Sequence, residues 1–296
     1  MAIPAVEPIT RTLETNGAVI TYDVRPNEGS TQPMLLLIGS PMGAGGFATL
    51  AGHFADRTVV TYDPRGVERS RRTDGITENT PEEHADDVAR LIVHLGGGPV
   101  DLFASSGGAV NALALTALHP GKLRTVVAHE PPLVRYVPDT SVVQRVTRDM
   151  HSTYQREGVG PAMAKFIALV GHVGEFTEEY LQRPAPDPAM FGLPTEDDGK
   201  RDDALLGQNL LSSTFYEPDI TTLKQIVAAG QPRLVIAAGE ESRGQLANRA
   251  ATGIAEQIGA AVVAFPSDHG GFLGGEYGQR GDPDAFAAKL REVLLG

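Results

Sequence analysis

The 296-residue chain contains no cysteine. This absence excludes disulfide bonds, a thiolate nucleophile and metal sites built on cysteine sulfur, and it is compatible with a reducing cytosol. Basic residues are also scarce, because 25 Lys and Arg stand against 37 Asp and Glu, for a formal net charge of −12. The longest basic cluster is the RSRR stretch at Arg69–Arg72. We therefore expect no nucleic-acid partner.

The sequence also lacks a secretory leader and a long apolar segment. The N-terminal stretch MAIPAVEPITRTLETN has no basic part followed by an apolar part, which a signal peptide requires. The longest weakly polar run, Leu102–Leu118, is interrupted by Ser, Gly and Asn111, so it favours a buried strand and helix over a membrane span. We expect a cytoplasmic protein that acts on a small molecule without a membrane partner, and homo-oligomerisation stays open.

Short β-branched runs alternate with amphipathic helical stretches, which is typical of a mostly parallel sheet covered by helices on both faces. Strands are predicted at GAVITYDV, PMLLLI, TVVTYD, VDLFA, RTVVAHEPP, RLVIAAG and AAVVAFP. Further helices are predicted around 47–55 and over 284–294. In NTPEEH, Thr80 is expected to cap a helix, with Pro81 in its first turn and Glu83 completing a capping box.

The pattern changes in the middle of the chain. From about Pro131 to about Gly230 it is mostly helical, and strand-like runs return only at Arg233 and Ala260. We therefore predict a sheet core formed by residues 1–130 and 231–296, with a helical cap inserted at 131–230.

Small residues surround a serine where the VDLFA strand meets the next helix. The stretch is Ala104, Ser105, Ser106, Gly107 and Gly108, and such a turn holds a serine hydroxyl exposed on a sharp bend. The N–H of Gly107 at the helix start suits a developing oxyanion. A turn that merely packs helix on strand explains the same residues, so the surrounding sequence has to decide.

The loop GSPMGAGG follows the PMLLLI strand. Its small residues let a backbone N–H approach the serine, and we choose Ser40 as the second oxyanion donor. A phosphate-binding loop is disfavoured because the Lys-Ser/Thr pair of a P-loop and the glycine spacing of a dinucleotide-binding fold are both missing.

A serine hydroxyl needs a base, so one of the eight histidines must reach it. His269 in PSDHGGF is the candidate, because it follows the last strand on a glycine-rich loop. Four others fall on predicted helices or helix ends: His53, His84, His94 and His119. Three lie in no comparable loop: His129, His151 and His172.

Together these motifs resemble the α/β-hydrolase fold family over nearly the whole chain. GSPM resembles its oxyanion loop, YDPRGVERS its strand-4 turn, ASSGG its nucleophile elbow and DHGGF its catalytic-histidine loop. Ala104 departs from the usual first glycine, and Ile38 stands where a histidine often precedes the oxyanion-loop glycine. The resemblance implies a mostly parallel eight-stranded sheet flanked by helices, with an inserted helical cap.

The acid that should orient the histidine is less evident. In the commonest family pattern it lies three residues past the glycine that ends the RLVIAAG strand, but three residues past Gly239 stands Ser242. One branch of the fold carries its acid after the strand that follows the nucleophile helix, where this chain has Glu130. We predict Glu130 and keep Glu240 and Glu241 as alternatives.

A structural alternative also exists for Glu130, namely a salt bridge with Arg124 or Arg135. With Glu130 as the acid, the order Ser106, Glu130, His269 is the nucleophile, acid, base order of the fold.

The resemblance implies a serine hydrolase acting on ester, lactone or thioester bonds through an acyl-enzyme, with no metal or organic cofactor required. A serine nucleophile disfavours the alkyl-enzyme chemistry of haloalkane dehalogenases and epoxide hydrolases. Two alternatives remain: a cofactor-free perhydrolase or haloperoxidase-like enzyme, and a small-ligand receptor of slow turnover on the same fold.

Overall fold

The computed structural model describes residues 7–296, and its strands form one mixed sheet. The nine strands of this part of the chain are β1 Ile9–Thr15, β2 Ala18–Arg25, β3 Leu35–Ile38, β4 Val59–Tyr62, β5 Arg71–Arg72, β6 Val100–Ser105, β7 Leu123–His129, β8 Arg233–Gly239 and β9 Val262–Phe265. Their order is β1-β2-β4-β3-β6-β7-β8-β9, with β5 beside β2.

The six strands from β4 to β9 along this order are parallel, whereas β1, β2 and β5 pair antiparallel. The predicted mostly parallel sheet is confirmed. The eight strands of the prediction correspond to the eight strands in the order given above, and the two-residue β5 beside β2 was not predicted.

Helices cover both faces of the sheet. They are α1 Ala48–Gly52, α2 Pro81–His94, α3 Gly107–Leu118, α4 Thr140–Glu157, α5 Val159–Val170, α6 Glu178–Leu181, α7 Leu210–Thr214, α8 Ile220–Ala229, α9 Leu246–Ile258 and α10 Pro283–Leu295. Within residues 7–296, none of the helices combines the length and the apolar character that crossing a bilayer requires.

Strand β3 shows why its sequence is continuously apolar. Leu36 and Ile38 pack in a core cluster with α2, α3 and α9, whereas Leu35 and Leu37 pack in a second cluster with α1 and α10. A parallel strand that is covered on both faces has no solvent side that would need polar residues.

The start of α2 follows from its sequence. Thr80 Oγ1 accepts a hydrogen bond from Glu83 N at 3.3 Å, and Thr80 N donates to Glu83 Oε2 at 3.0 Å. Pro81 occupies the first turn, where its missing N–H costs nothing. The predicted capping box is confirmed.

The chain between β7 and β8, which we call the helical segment (residues 130–232), contains α4 to α8. It has its own apolar cluster, with Val143, Met150 and Tyr154 of α4 fully or nearly fully buried. Leu246 and Ala250 of α9 share this cluster, so the segment packs directly on α9.

Some element boundaries differ from the sequence-based predictions. The helix predicted over 47–55 is the five-residue α1 preceded by a 3₁₀ turn, and α10 extends one residue beyond the predicted range at each end. Strand β1 and helix α9 were missed. Helix α9 buries Leu246, Ala250, Ile254 and Ile258, and this four-residue spacing is a helical signal that its alanines and threonine obscured.

Candidate active site

The sequence-predicted site residues lie at one edge of the sheet. Ser40 follows β3, Ser106 follows β6, Glu130 follows β7 and His269 lies in the loop after β9. These strands are parallel, so their carboxyl ends meet at the same edge, where open α/β sheets bind ligands.

Ser106 occupies a strained turn between β6 and α3. Its φ of 56° and ψ of −126° are unusual for a residue with a side chain. The Ser106 N–H donates to the carbonyl oxygen of His129 at 3.0 Å, which ties the turn to the end of β7. The strain therefore serves to hold one hydroxyl above the sheet edge.

The two positions after Ser106 require glycine, because backbone atoms of the loop after β3 approach them closely. A Cβ on Gly107 would collide with the carbonyl oxygen of Ser40, and a Cβ on Gly108 would lie 2.7 Å from the Cα of Gly39. The loop after β3 thus packs directly against the start of α3. Among the described residues, neither the Ser40 N–H nor the Gly107 N–H donates to a protein acceptor.

Glu130 and His269 meet through a short hydrogen bond. His269 Nδ1 lies 2.5 Å from Glu130 Oε2, the carboxylate is fully buried and the imidazole side chain is 39% exposed. Since a carboxylate accepts the bond, Nδ1 carries a proton, and in the neutral form of the ring the lone pair is on Nε2. An imidazole held in this tautomer can accept a proton at Nε2.

The second carboxylate oxygen of Glu130 is held by three groups from β8 and the chain after it. Oε1 accepts from Gly239 N at 2.9 Å, from Asn248 Nδ2 at 3.3 Å and from Ser242 Oγ. Ser242 stands where the commonest family pattern has its acid, and here its hydroxyl supports a carboxylate that comes from β7 instead.

Glu130 itself adopts a positive φ of 50°, and its N–H donates to Ala237 O at 2.9 Å. Burial raises the pKa of its carboxyl, but the hydrogen bond with His269, the neighbouring imidazoles and the Ser242 hydroxyl outweigh burial and lower the pKa to about 2. The carboxylate is therefore charged throughout the neutral range.

The alternatives for the acid lie elsewhere. Glu240 and Glu241 are exposed. The Glu240 N–H donates to the carbonyl oxygen of Phe265, the last residue of β9, and the Glu241 N–H donates to the loop that follows β9. The structure brings His269 to Glu130 and to neither of these.

The salt bridges considered for Glu130 are not formed. Arg124 bonds Asp101 through two nitrogens at 2.6 and 2.8 Å, and Arg135 pairs with Glu217 at 2.5 Å. Both arginines are thus engaged with other carboxylates.

His129 is a site residue that the sequence-based reasoning missed. It is fully buried, its ring lies 5.4 to 6.0 Å from the rings of Phe103, Phe265 and Phe286, and it lies 6.0 Å from the ring of His269. Neither ring nitrogen has a hydrogen-bond partner in the described chain. Burial lowers its pKa to about 4, against the opposing charge of Glu130. The neutral imidazole forms part of an apolar floor beneath His269.

His129, Glu130 and His269 each place a donor atom within 4.8 Å of the others. A cation bound there would have to replace the proton between Glu130 and His269. The hydrogen-bonded arrangement and a metal-bound arrangement therefore exclude each other.

A second group that was missed comes from the helical segment. Residues Ala204–Asn209 form a π-helix that leads into α7. Asn209 Oδ1 lies 3.0 Å from His84 Nε2 and 3.4 Å from Ser40 Oγ. This amide attaches the helical segment to the loop that carries Ser40.

A family model described as alpha/beta hydrolase fold matches residues 32–157. An uncharacterized hydrolase named YraK, from Bacillus subtilis (strain 168), is 29% identical over 276 residues, which cover 88% of this chain and 89% of that protein.

Solved structures give the same result for the fold. The enol-lactonase from Burkholderia xenovorans LB400 superposes with a TM-score of 0.66 at 17% identity, covering 97% of this chain and all of the other. A thermophilic esterase from Thermogutta terrifontis gives 0.62 at 19% identity, covering 98% of both chains. Est816, described as degrading N-acyl homoserine lactones, superposes with a TM-score of 0.63 at 21% identity, covering 95% of this chain and 99% of the other. At these identities the likeness concerns the fold.

Proposed function

We propose that this chain is a member of the α/β-hydrolase fold family, whose model matches residues 32–157, and that it is a serine hydrolase that cleaves an ester, lactone or thioester bond of a small molecule. The observation that carries the proposal is the 2.5 Å hydrogen bond between His269 Nδ1 and Glu130 Oε2, at the sheet edge where Ser106 occupies its strained turn. Nucleophile, base and acid are the three components of such a catalyst.

In the proposed acylation step, His269 Nε2 takes the proton of Ser106 Oγ while this oxygen bonds to the substrate carbonyl carbon. The carbonyl π electrons move onto oxygen, and the N–H groups of Ser40 and Gly107 stabilise the resulting oxyanion. When the tetrahedral intermediate collapses, the bond to the leaving alkoxide or thiolate breaks, and the leaving group takes the proton from His269.

Deacylation repeats these steps with water. His269 Nε2 takes a proton from water as the water oxygen bonds to the acyl carbon, and collapse of the second intermediate returns the proton to Ser106 Oγ. In both acylation and deacylation the buried Glu130 carboxylate stabilises the imidazolium without becoming protonated. Its low pKa fits this role, because a carboxyl of pKa about 2 does not compete for the proton.

The substrate class is supported by chemistry and by the relatives. A serine nucleophile forms an acyl ester that water can hydrolyse, which fits carboxylic ester-type bonds. The compared structures include an esterase and two lactone-acting proteins. We propose in addition that residues 131–230 act as the cap over the site and that the enzyme works in the cytoplasm on a small molecule.

Active-site labelling combined with turnover tests the proposal. A fluorophosphonate probe should label one residue per chain at Ser106, with no labelling of Ser106→Ala and normal labelling of Ser105→Ala, its buried neighbour. Short p-nitrophenyl esters should be hydrolysed rapidly. Labelling with negligible turnover of a broad ester and lactone panel would instead indicate a receptor, and no labelling would refute the proposed nucleophile.

A further inference from the structure

Ser213 of α7 carries a hydroxyl that the proposed mechanism does not use. The residue is 9% exposed, and its Oγ is shielded from solvent without a hydrogen-bond partner in the described chain. A buried hydroxyl that lacks a hydrogen-bond partner is destabilising. Such a group is explained when a ligand supplies the missing acceptor.

The hydroxyl lies beside the nucleophile turn. A Cβ on Gly107 would be 3.2 Å from Ser213 Oγ, so the hydroxyl occupies the space that a larger side chain directly after Ser106 would fill. Gly107 contributes its N–H to the proposed oxyanion site, and its Cβ direction diverges from that N–H. The hydroxyl is thus adjacent to the oxyanion site, on the side of the Cβ position.

The position of Ser213 is fixed by its own segment. Asn209, one turn earlier, is hydrogen-bonded to His84 and contacts Ser40 Oγ, and its Nδ2 donates to Ala204 O at 2.7 Å. These contacts tie the backbone that carries Ser213 to α2 through His84 and to the oxyanion loop through Ser40. Groups held in this way are suited to recognise a substrate.

We propose that Ser213 is a specificity-determining residue whose hydroxyl, once a bound substrate displaces the groups that shield it, donates a hydrogen bond to an oxygen on the acyl chain, close to the reacting carbonyl. This inference rests on the proposed function. Two backbone N–H groups already serve the oxyanion, so the third donor is available to the acyl group. The preferred substrates are therefore esters or lactones whose acyl part carries an ether, hydroxyl or carbonyl oxygen, because a site with a buried donor discriminates against analogues without an acceptor.

Two esters of equal shape test the proposal. p-Nitrophenyl methoxyacetate and p-nitrophenyl butyrate differ by an oxygen in place of a methylene group. The ratio of their kcat/KM values should fall about tenfold in Ser213→Ala relative to the unchanged enzyme, since tenfold corresponds to about 1.4 kcal/mol, the scale of one hydrogen bond. Intrinsic reactivities cancel because the same two esters are compared in both enzymes.

Ser212→Ala is the matched control. Ser212 precedes Ser213 on α7, and its hydroxyl bonds to the carbonyl oxygen of Asn209 at 3.3 Å, so its removal should leave the ratio unchanged. Ser213→Ala should unfold at the same or a higher urea concentration, because no protein hydrogen bond is lost. A lower midpoint would indicate a structural role and overturn the proposal.

The kinetic outcomes distinguish a wrong role for Ser213 from a wrong function for the chain. An equal loss for both esters, which leaves the ratio unchanged, would make Ser213 an additional oxyanion donor, and no loss for either ester would leave it without a role in catalysis. Both results would overturn the acyl-oxygen assignment. Absence of labelling and turnover in the unchanged enzyme would refute the proposed function itself, and the inference with it.

Discussion

The two halves of the candidate site differ in how their polar groups are satisfied. Around Glu130 both carboxylate oxygens accept hydrogen bonds, from His269, Ser242, Asn248 and the Gly239 N–H. We call these residues the acid half. Each of these bonds fixes the position of the carboxylate and, through it, the orientation of the imidazole.

Around Ser106 the donors are unpaired. The N–H groups of Ser40 and Gly107 and the hydroxyl of Ser213 have no acceptor in the described chain. With Ser106 these residues form the nucleophile half. The hydrogen bonds of the acid half are therefore complete in the free protein, and we propose that the substrate supplies the missing acceptors of the nucleophile half. Removing a group should therefore harm folding in the acid half and catalysis in the nucleophile half.

Ser106→Ala gives the largest expected effect and the sharpest contrast. Without the nucleophile, kcat should fall by about 10⁴-fold or more. The free energy of unfolding should change by less than about 0.5 kcal/mol, because the Ser106 hydroxyl has no hydrogen bond to any of residues 7–296 that the fold would lose. Ester kinetics and urea denaturation measure both quantities. A loss of stability beyond 2 kcal/mol would break the proposed division.

Glu130→Gln is next, and it should affect both properties. The amide cannot stabilise the imidazolium, and kcat should fall by about 10³-fold, while the buried amide also loses charge-assisted hydrogen bonds and the protein should lose about 2 kcal/mol of stability. The exposed Glu241 supplies the control, since Glu241→Gln should change neither value. Comparable activity losses in the two variants would contradict Glu130 as the acid.

Ser242→Ala should have a smaller effect that depends on pH. Loss of its hydroxyl should lower kcat about three- to tenfold and raise the pKa of Glu130. The depressed pKa stabilises the folded state above pH 4.5, and this contribution is lost as pH falls from 4.5 to about 2. Urea midpoints of the variant should therefore be lower at pH 7 and decline less on acidification. If the urea midpoints of the variant and of the unchanged protein declined equally on acidification, Ser242 would not support the carboxylate.

His129→Phe should leave activity within about threefold and change the pH dependence of stability. The imidazole has a pKa of about 4 when folded, against 6.5 when free, so the unfolded chain binds its proton first and stability is lost as pH falls from 6.5 to 4. Phenylalanine should fit among the surrounding rings and flatten this decline. An activity loss as large as that of Glu130→Gln would assign His129 a direct catalytic role.

The sequence predicted the parts of the site that are local in the chain. Ser106, Ser40 and His269 each follow a recognisable strand within a loop of small residues, so motif and topology together bring them to one edge of the sheet. Glu130 was predicted from its strand end, which fixes its place in the sheet. The backbone φ that turns its carboxylate toward β8 was not evident from the residue types.

Contacts between distant stretches were not predictable. Ser242 appeared only as a residue that could not be the acid, because a single sequence does not show that its hydroxyl meets a carboxylate 112 residues earlier. Asn209 and Ser213 lie in the helical segment, where the apolar pattern indicates helices but not how they dock. His129 was set aside because its strand position alone does not reveal the neighbouring rings.

The structure of a fluorophosphonate adduct tests the central claim most directly. We expect phosphorus bonded to Ser106 Oγ, with the phosphoryl oxygen about 2.7–3.1 Å from the N–H nitrogens of Ser40 and Gly107, and with His269 still hydrogen-bonded to Glu130. An adduct on another residue, or a phosphoryl oxygen that points away from both N–H groups, would contradict it.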